Sequence, residues 1–385
     1  MYRIFITIPT MRLIGGIERV TSYQANYWAQ TGNDVSIITF QGGEKNPFYN
    51  LMPQVRILNI TVSEVQTKFF SNPIKEIVNQ RIRKAQYKKS FEKFKQIYRP
   101  DIVFTTMHGI ERYFIKTICP DVPIVGINHI SLTLRHGDYI SSRLRRTIQR
   151  IKHHTLLRQL KKYDCCVALS RTDELMFKNE GCSTAYIPNP IDLHSIKAGD
   201  DVQRDKYVIC VGRLDYLKGQ DRLLRIWSKV SPQFPEWKLL LVGDGEKKEE
   251  LCHLSASLGL GKTVVFTGAR KDVYDILHKS SVFAFTSRTE SFGMVLLEAF
   301  ACGLPVVAYD CETGPRDLVQ SYYNGFLVSD DDEEAFAMKL SLLMLDEEMR
   351  TRFGENAKLT ARQYDNAVVL PLYSDLIQKL CQRYQ

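Results

Sequence analysis

Thirteen short apolar runs alternate with longer helix-like stretches along the 385 residues of this chain. Such alternation points to parallel sheets covered by helices, because each parallel strand needs a crossover before the next and buries both of its faces. Seven runs come first, near Tyr2–Ile8, Val35–Phe40, Val55–Leu58, Ile102–Thr105, Ile124–Asn128, Cys165–Leu169 and Ala185–Ile187. Six follow, near Tyr207–Val211, Trp237–Val242, Val264–Thr267, Val282–Phe285, Val306–Ala308 and Gly325–Val328. Pro188-Asn-Pro190 and the polar stretch Lys197–Lys206 separate the two sets. The expected fold class is therefore α/β, with two doubly wound Rossmann-like domains over residues 1–190 and 191–365 and a final helix within 366–385. A chain of this length suits two cores of about 180 residues each.

The 44% hydrophobic and 25% charged residues are those of a folded, water-soluble protein. No apolar run approaches the about 18 residues needed to cross a bilayer. The alternating start, Met1 to Pro9, reads as a first strand rather than a signal peptide. Nine cysteines without Cys-x-x-Cys spacing read as free thiols in a reducing cytosol, and no metal site is expected. The net charge of +9 is uneven: residues 1–195 hold 28 Lys/Arg against 15 Asp/Glu. Two stretches concentrate it. Ile74–Arg99 places nine Lys/Arg among Ile77, Ile82, Tyr87, Phe91, Phe94 and Ile97, and Arg143–Lys162 carries eight Lys/Arg and no acid. Both read as basic amphipathic helices suited to an anionic membrane surface. No nucleic-acid motif accompanies them, so no nucleic-acid partner is expected.

Ligands of open parallel sheets bind beyond the carboxyl ends of the strands, and several polar or glycine-rich segments follow directly on expected strands. The most specific is Glu290-Ser-Phe-Gly-Met-Val-Leu-Leu-Glu298. On a regular helix its two carboxylates would stand roughly 12 Å apart. That is too far for the acid pair of a glycosidase, about 5–9.5 Å, and suits a grip on both ends of an elongated ligand. The helix start at Gly293–Met294 offers N–H groups and a positive dipole end for phosphate. Acid, phosphate site and acid describe a nucleotide-sugar. Glu298 has apolar neighbours Val295, Leu296, Leu297, Ala299 and Phe300, so it is a buried carboxylate that needs a partner. Arg213 and Lys218, in Gly212-Arg-Leu-Asp-Tyr-Leu-Lys-Gly219, can cover two phosphates with a planar fork and a point charge.

These segments resemble landmarks of the retaining glycosyltransferases called family 4. Glu290 to Glu298 is similar to that family's E-x7-E motif. Gly15-Gly16-Ile-Glu18-Arg19 is similar to its N-terminal Gly-Gly loop, and Gly212–Gly219, Val242–Glu246 and Val265–Gly268 follow in the same order. The resemblance covers nearly the whole chain and points to the bacterial polysaccharide and lipid-linked glycan branch. It implies a GT-B fold, in which the two domains face each other across a cleft and the last helix, about Val368–Arg383, crosses back to the first domain. It implies Glu290, Arg213, Lys218 and His129 as catalytic, with Glu290 and His129 on the sugar. Gly15, Gly16, Gly212, Gly268, Arg270, Phe292, Gly293, Met294, Val295 and Glu298 are implied to hold the nucleotide-sugar, with Glu298 on the ribose and Gly268 and Arg270 at the base. Asn128 stands where many relatives carry Glu. His108 is a second candidate at the same rim. Gly314-Pro-Arg-Asp317 is similar to segments in members that use UDP-hexoses or UDP-N-acetylhexosamines.

The expectation is thus a retaining, metal-independent hexosyltransferase with no cofactor beyond a nucleotide-sugar co-substrate, most simply a UDP-sugar. The acceptor is expected to be a lipid-linked saccharide or surface-polysaccharide precursor. The expected location is cytoplasmic, peripheral on the inner face of the cell membrane. Two alternatives share the features: a GT-B sugar-nucleotide epimerase, and a nucleotide- or lipid-binding module without catalysis.

Overall fold

The computed structural model describes residues 1–40, 46–60, 73–107, 109–129, 156–196, 203–311 and 313–384. The chain forms two compact units. One comprises Met1–Leu169, Asp173–Pro190 and Val369–Gln385; the other comprises Ser170–Thr172 and Ile191–Val368.

The first unit holds seven parallel strands: β1 (Arg3–Ile8), β2 (Asp34–Thr39), β3 (Arg56–Asn59), β4 (Ile102–Thr106), β5 (Ile124–Ile127), β6 (Cys165–Ala168) and β7 (Thr184–Tyr186). Their order is β3-β2-β1-β4-β5-β6-β7. The second unit holds six: β8 (Tyr207–Val211), β9 (Lys238–Val242), β10 (Val264–Gly268), β11 (Val282–Phe285), β12 (Val306–Asp310) and β13 (Gly325–Ser329), in the order β10-β9-β8-β11-β12-β13. Both sheets are doubly wound, and every expected strand forms. β12 runs past its expected end because Tyr309 and Asp310 continue the ladder with Val328 and Ser329 of β13.

Burial on both faces explains why the strands read as continuous apolar runs. On one face of the first sheet, Phe5 meets Phe91 edge-on at 6.0 Å. On the other, Trp28 lies 4.7 Å from Phe104, and both stand 6.1 Å from Tyr373 of the helix Asn366–Cys381. The end of the chain is fixed to the same unit by Tyr384, whose hydroxyl donates to Asp164 at 2.5 Å and accepts from Lys116 at 2.8 Å.

The helix Pro73–Tyr98 does not use all its apolar residues for packing. Tyr87 and Phe91 are buried, but Ile82 and Ile97 are 43% and 57% exposed. The helical period sets these two on the outer stripe with Arg81, Ala85, Lys89 and Lys93 rather than on the expected apolar face. The second basic stretch, Arg143–Lys162, falls for the most part outside the described residues.

In the second unit one side chain closes two helices. Half-buried Arg204 donates to the carbonyls of His278 (3.3 Å) and Ser280 (2.7 Å) at the end of Val273–Lys279. It also donates to those of Cys302 (2.7 Å) and Gly303 (3.2 Å) at the end of Met294–Ala301. A guanidinium at two helix carboxyl ends satisfies carbonyls that have no helical partner and offsets both dipoles. Arg204→Ala is expected to lower stability by about 2–3 kcal/mol, the range for losing the hydrogen bonds of a charged donor. An unchanged urea midpoint in the variant would show that water replaces the arginine at no cost.

Candidate active site

The order of the second sheet reverses between β8 and β11. The chain builds β8, β9 and β10 outward to one side, then returns to lay β11, β12 and β13 on the other. Loops leaving the carboxyl ends of the two central strands diverge at such a point and open a crevice. The loop after β8 carries Arg213 and Lys218, and the loop after β11 carries Glu290.

Asp215 organises the first loop. Its buried carboxylate accepts the Lys218 backbone N–H at 3.0 Å and Arg213 Nε at 2.5 Å. Gln220 donates its side-chain amide to the Arg213 carbonyl at 2.9 Å. Gly219 then starts the helix Gln220–Val230 with φ 66°, and a Cβ there would stand 2.1 Å from the Thr286 carbonyl oxygen. Only glycine permits both that conformation and so close an approach.

Across the switch point, Lys218 Nζ donates to Glu290 Oε2 at 2.5 Å. Burial alone would lower the Lys218 pKa. The Glu290 carboxylate, with Asp215 behind it, outweighs burial and holds it above the ordinary lysine value. The ammonium is charged at neutral pH. It uses one of its three donors on Glu290, and Arg213, 70% exposed at its side chain, uses only Nε on Asp215. The two terminal nitrogens of Arg213 and two Lys218 donors can therefore bind anionic oxygen without either ion pair breaking.

Beyond Glu290 the backbone turns through Gly293 (φ 91°) into the helix Met294–Ala301. The Thr313 hydroxyl donates to the Glu290 carbonyl, and a Cβ on Gly314 would stand 2.5 Å from the Phe292 carbonyl oxygen, so the Gly314–Asp317 segment lies against the Glu290 loop. The Phe292 ring is buried and meets Tyr364 edge-on at 5.9 Å, so this residue offers a ligand its backbone alone. Met294 and Val295 are half-buried, and Glu298, 4% exposed, sits in the second turn. Because Glu290 precedes the helix, the 12 Å spacing estimated for a continuous helix does not describe this pair.

Gly268 and Arg270 stand apart from this cluster. They close β10, the edge strand, two places from β8, and Arg270 is exposed and paired with Asp272 at 2.6 Å. Gly268 does connect to it through backbone: its carbonyl accepts from Gly243 N–H, and Gly212 N–H donates to Val242, each at 2.9 Å.

The first unit has its own switch point, between β1 and β4. Gly15 is the N-cap of the helix Gly16–Gln30, and the Glu18 carboxylate folds back over it to within 2.2 Å of where a Cβ would stand. Burial raises the Glu18 pKa. His129, half-buried, follows β5, one strand beyond the switch point. His108 lies outside the described residues. Sequence reasoning assigns no role to Asp215, Arg288 or Thr313. The first two carry a readable signal: a charged residue beside an apolar strand end must find a partner when buried.

Comparison with known proteins agrees with this fold. Residues 14–195 match the model for Glycosyltransferase Family 4, and residues 195–360 match that for Glycosyl transferases group 1. Both halves of the chain thus match glycosyltransferase models. The amylovoran biosynthesis glycosyltransferase AmsD of Erwinia amylovora is 28% identical over 98% of this chain and 100% of its own. A Campylobacter jejuni alpha-1,4-N-acetyl-D-galactosaminyltransferase, whose acceptor is a diphospho-undecaprenol-linked saccharide, is 25% identical over 95% of each chain. The structure of Anabaena Alr3699/HepE in complex with UDP and glucose superposes with a TM-score of 0.75 at 20% identity, covering 99% of this chain and 100% of that one. The fold is GT-B.

Proposed function

We propose that the chain is a retaining, metal-independent glycosyltransferase that moves a hexose or N-acetylhexosamine from a UDP-sugar to a lipid-linked saccharide of a surface polysaccharide. The observation that carries this reading is the Lys218–Glu290 ion pair at the switch point of the second sheet, beside the start of the helix Met294–Ala301. Breaking the glycosidic bond to UDP places charge on a diphosphate oxygen and leaves an electron-poor sugar carbon. Arg213, Lys218 and the helix N-terminus meet the first as fixed positive groups, which need no reorganisation as the charge develops. Glu290 supplies acceptors for sugar hydroxyls, and Glu298 for the ribose diol. The likeness to Anabaena Alr3699/HepE, whose structure holds UDP and glucose, and the Gly314–Asp317 segment beside Glu290 support UDP. The deciding experiment offers UDP-hexoses and UDP-N-acetylhexosamines with polyprenyl-diphosphate-linked saccharides and identifies products by mass spectrometry. Epimerised donor with no transfer product would replace this reading with that of an epimerase.

Arg213→Ala and Lys218→Ala are each expected to cut turnover by about two to three orders of magnitude, the usual loss for one group stabilising an anionic transition state. Activity should persist in EDTA. Strict dependence on added Mg²⁺ or Mn²⁺ would contradict fixed cations in that role.

The two glutamates should fail differently. Glu298→Ala weakens binding of UDP alone. Glu290→Ala spares UDP affinity and lowers kcat, since its contacts are to the sugar. Equal losses of UDP affinity would reverse the assignment.

We also propose that the chain docks on the anionic inner face of the cell membrane. Among the described residues no helix is long and apolar enough to cross a membrane. The outer stripe of the helix Pro73–Tyr98, with Arg81, Lys89 and Lys93 flanked by exposed Ile82 and Ile97, supports docking. Each cation near an anionic surface contributes about 1 kcal/mol, so changing these three to Gln should weaken binding to anionic vesicles by about two orders of magnitude. Sedimentation of the triple variant as complete as that of the unaltered chain would leave this stripe without a membrane role.

A further inference from the structure

The pair on which the donor reading rests is held from behind by a residue outside it. Arg288, two positions before Glu290, is 7% exposed. A buried guanidinium is costly unless every face finds a partner, and this one does. It donates to both oxygens of Asp221 at 2.7 Å and to the Tyr216 carbonyl at 2.8 Å. The Tyr216 ring covers it at 4.1 Å. Its backbone N–H donates to the Leu217 carbonyl at 2.8 Å. Residues 216, 217 and 221 are thus all bound to Arg288, and Lys218 lies between them. From the other side, the Thr286 hydroxyl donates to the Lys218 carbonyl at 3.4 Å.

Asp221 cannot follow Arg288 if the loop shifts. It also accepts from Arg225 at 3.0 Å, and Arg225 donates to Glu333 at 2.9 Å, which anchors the group on the helix Glu333–Leu345.

We propose that Arg288 is a positioning residue: its bidentate clamp on Asp221 fixes the loop bearing Glu290 against the loop bearing Lys218, and so sets the register between sugar-binding acid and phosphate-binding cation. This rests on the donor-site reading given above. Arg288 touches neither end of the donor; it acts through Glu290 and Lys218. A lysine keeps the charge but cannot make the two-pronged contact.

The test compares Arg288→Ala, Arg288→Lys and Asp221→Asn with the unaltered chain and with Lys218→Ala. UDP affinity is read by calorimetry, and kcat and KM with the donor and acceptor that product analysis identifies. A shift of about 1 Å between the two loops should lower kcat by about a hundredfold, while UDP affinity stays within about threefold, because Asp215 and Thr286 still hold Lys218 when the Glu290 loop moves. Arg288→Lys should recover part of the loss. The double variant Arg288→Ala/Asp221→Asn should lose no more than the worse single one, because the two residues form one device. Should alanine at 288 leave the chain unfolded, Arg288→Lys and Asp221→Asn carry the comparison alone. Unchanged kcat in folded Arg288 variants, with Lys218→Ala still inactive, overturns the clamp and spares the donor site. A loss of UDP affinity in step with kcat and melting temperature also overturns it, by reducing Arg288 to a stabilising residue. An unaltered chain that binds no UDP removes the donor reading itself, and the clamp with it.

Discussion

Lys218 and Glu290 lie 72 positions apart in sequence and meet because β8 and β11 are neighbours. That adjacency follows from the winding of the sheet. Once both faces of a parallel sheet are covered, only strand ends remain for a ligand, and only at the reversal of strand order do two such ends diverge. The site is therefore a consequence of topology before it is a matter of side chains. What the side chains add is charge held in place: an ammonium kept protonated by a carboxylate at 2.5 Å, and a guanidinium fixed by one nitrogen with two left over.

A half-buried ion pair contributes little net stability, because desolvation offsets much of the Coulomb attraction. The network behind it has a different character. Asp221 would have a raised pKa from burial alone, yet Arg288 and Arg225 bring it down to about 2. A carboxyl held below its unfolded value stabilises the fold above that value, and the contribution fades as pH falls from about 4 towards 2. Throughout the neutral range the clamp is fully ionised, so the loop it holds is insensitive to physiological pH. Lys218, shifted upward, is equally constant. The charges of Lys218 and of the Asp221 clamp are therefore both constant across the neutral range.

The strands were legible because burial on both faces writes itself as uninterrupted apolar runs, with each end marked by glycine, proline or charge. Gly212–Gly219 and Glu290–Glu298 were legible as motifs for the same reason: they stand immediately after such runs. Direction was harder. Ile82 and Ile97 read as part of one amphipathic helix with Tyr87 and Phe91, and the helix turns them outward, since positions five before Tyr87 and six after Phe91 fall off the face those two occupy. Phe292 read as a contact through its peptide group, and the sequence did not say where its ring would go, which is inward on Tyr364. The partners of buried charges were not legible at all. Nothing local connects Arg288 to Asp221, or Arg204 to the ends of two helices, because such contacts are set by how strands wind and not by spacing along the chain.

That limit bears on how the donor cleft of a chain like this can vary. On the donor reading proposed above, the motif residues bind the diphosphate and ribose of a UDP-sugar. The residues around them determine how far apart those motif residues stand. A clamp such as Arg288 with Asp221 is bonded to backbone at Tyr216 and Leu217, so altering it moves whole loops rather than one contact. On that reading, loop displacement changes where the sugar-binding Glu290 stands relative to the phosphate-binding Lys218 while leaving the chemical identity of both untouched. If the donor reading holds, sugar preference can be tuned from positions that no donor atom reaches, and those positions are found by following buried charge to its partner.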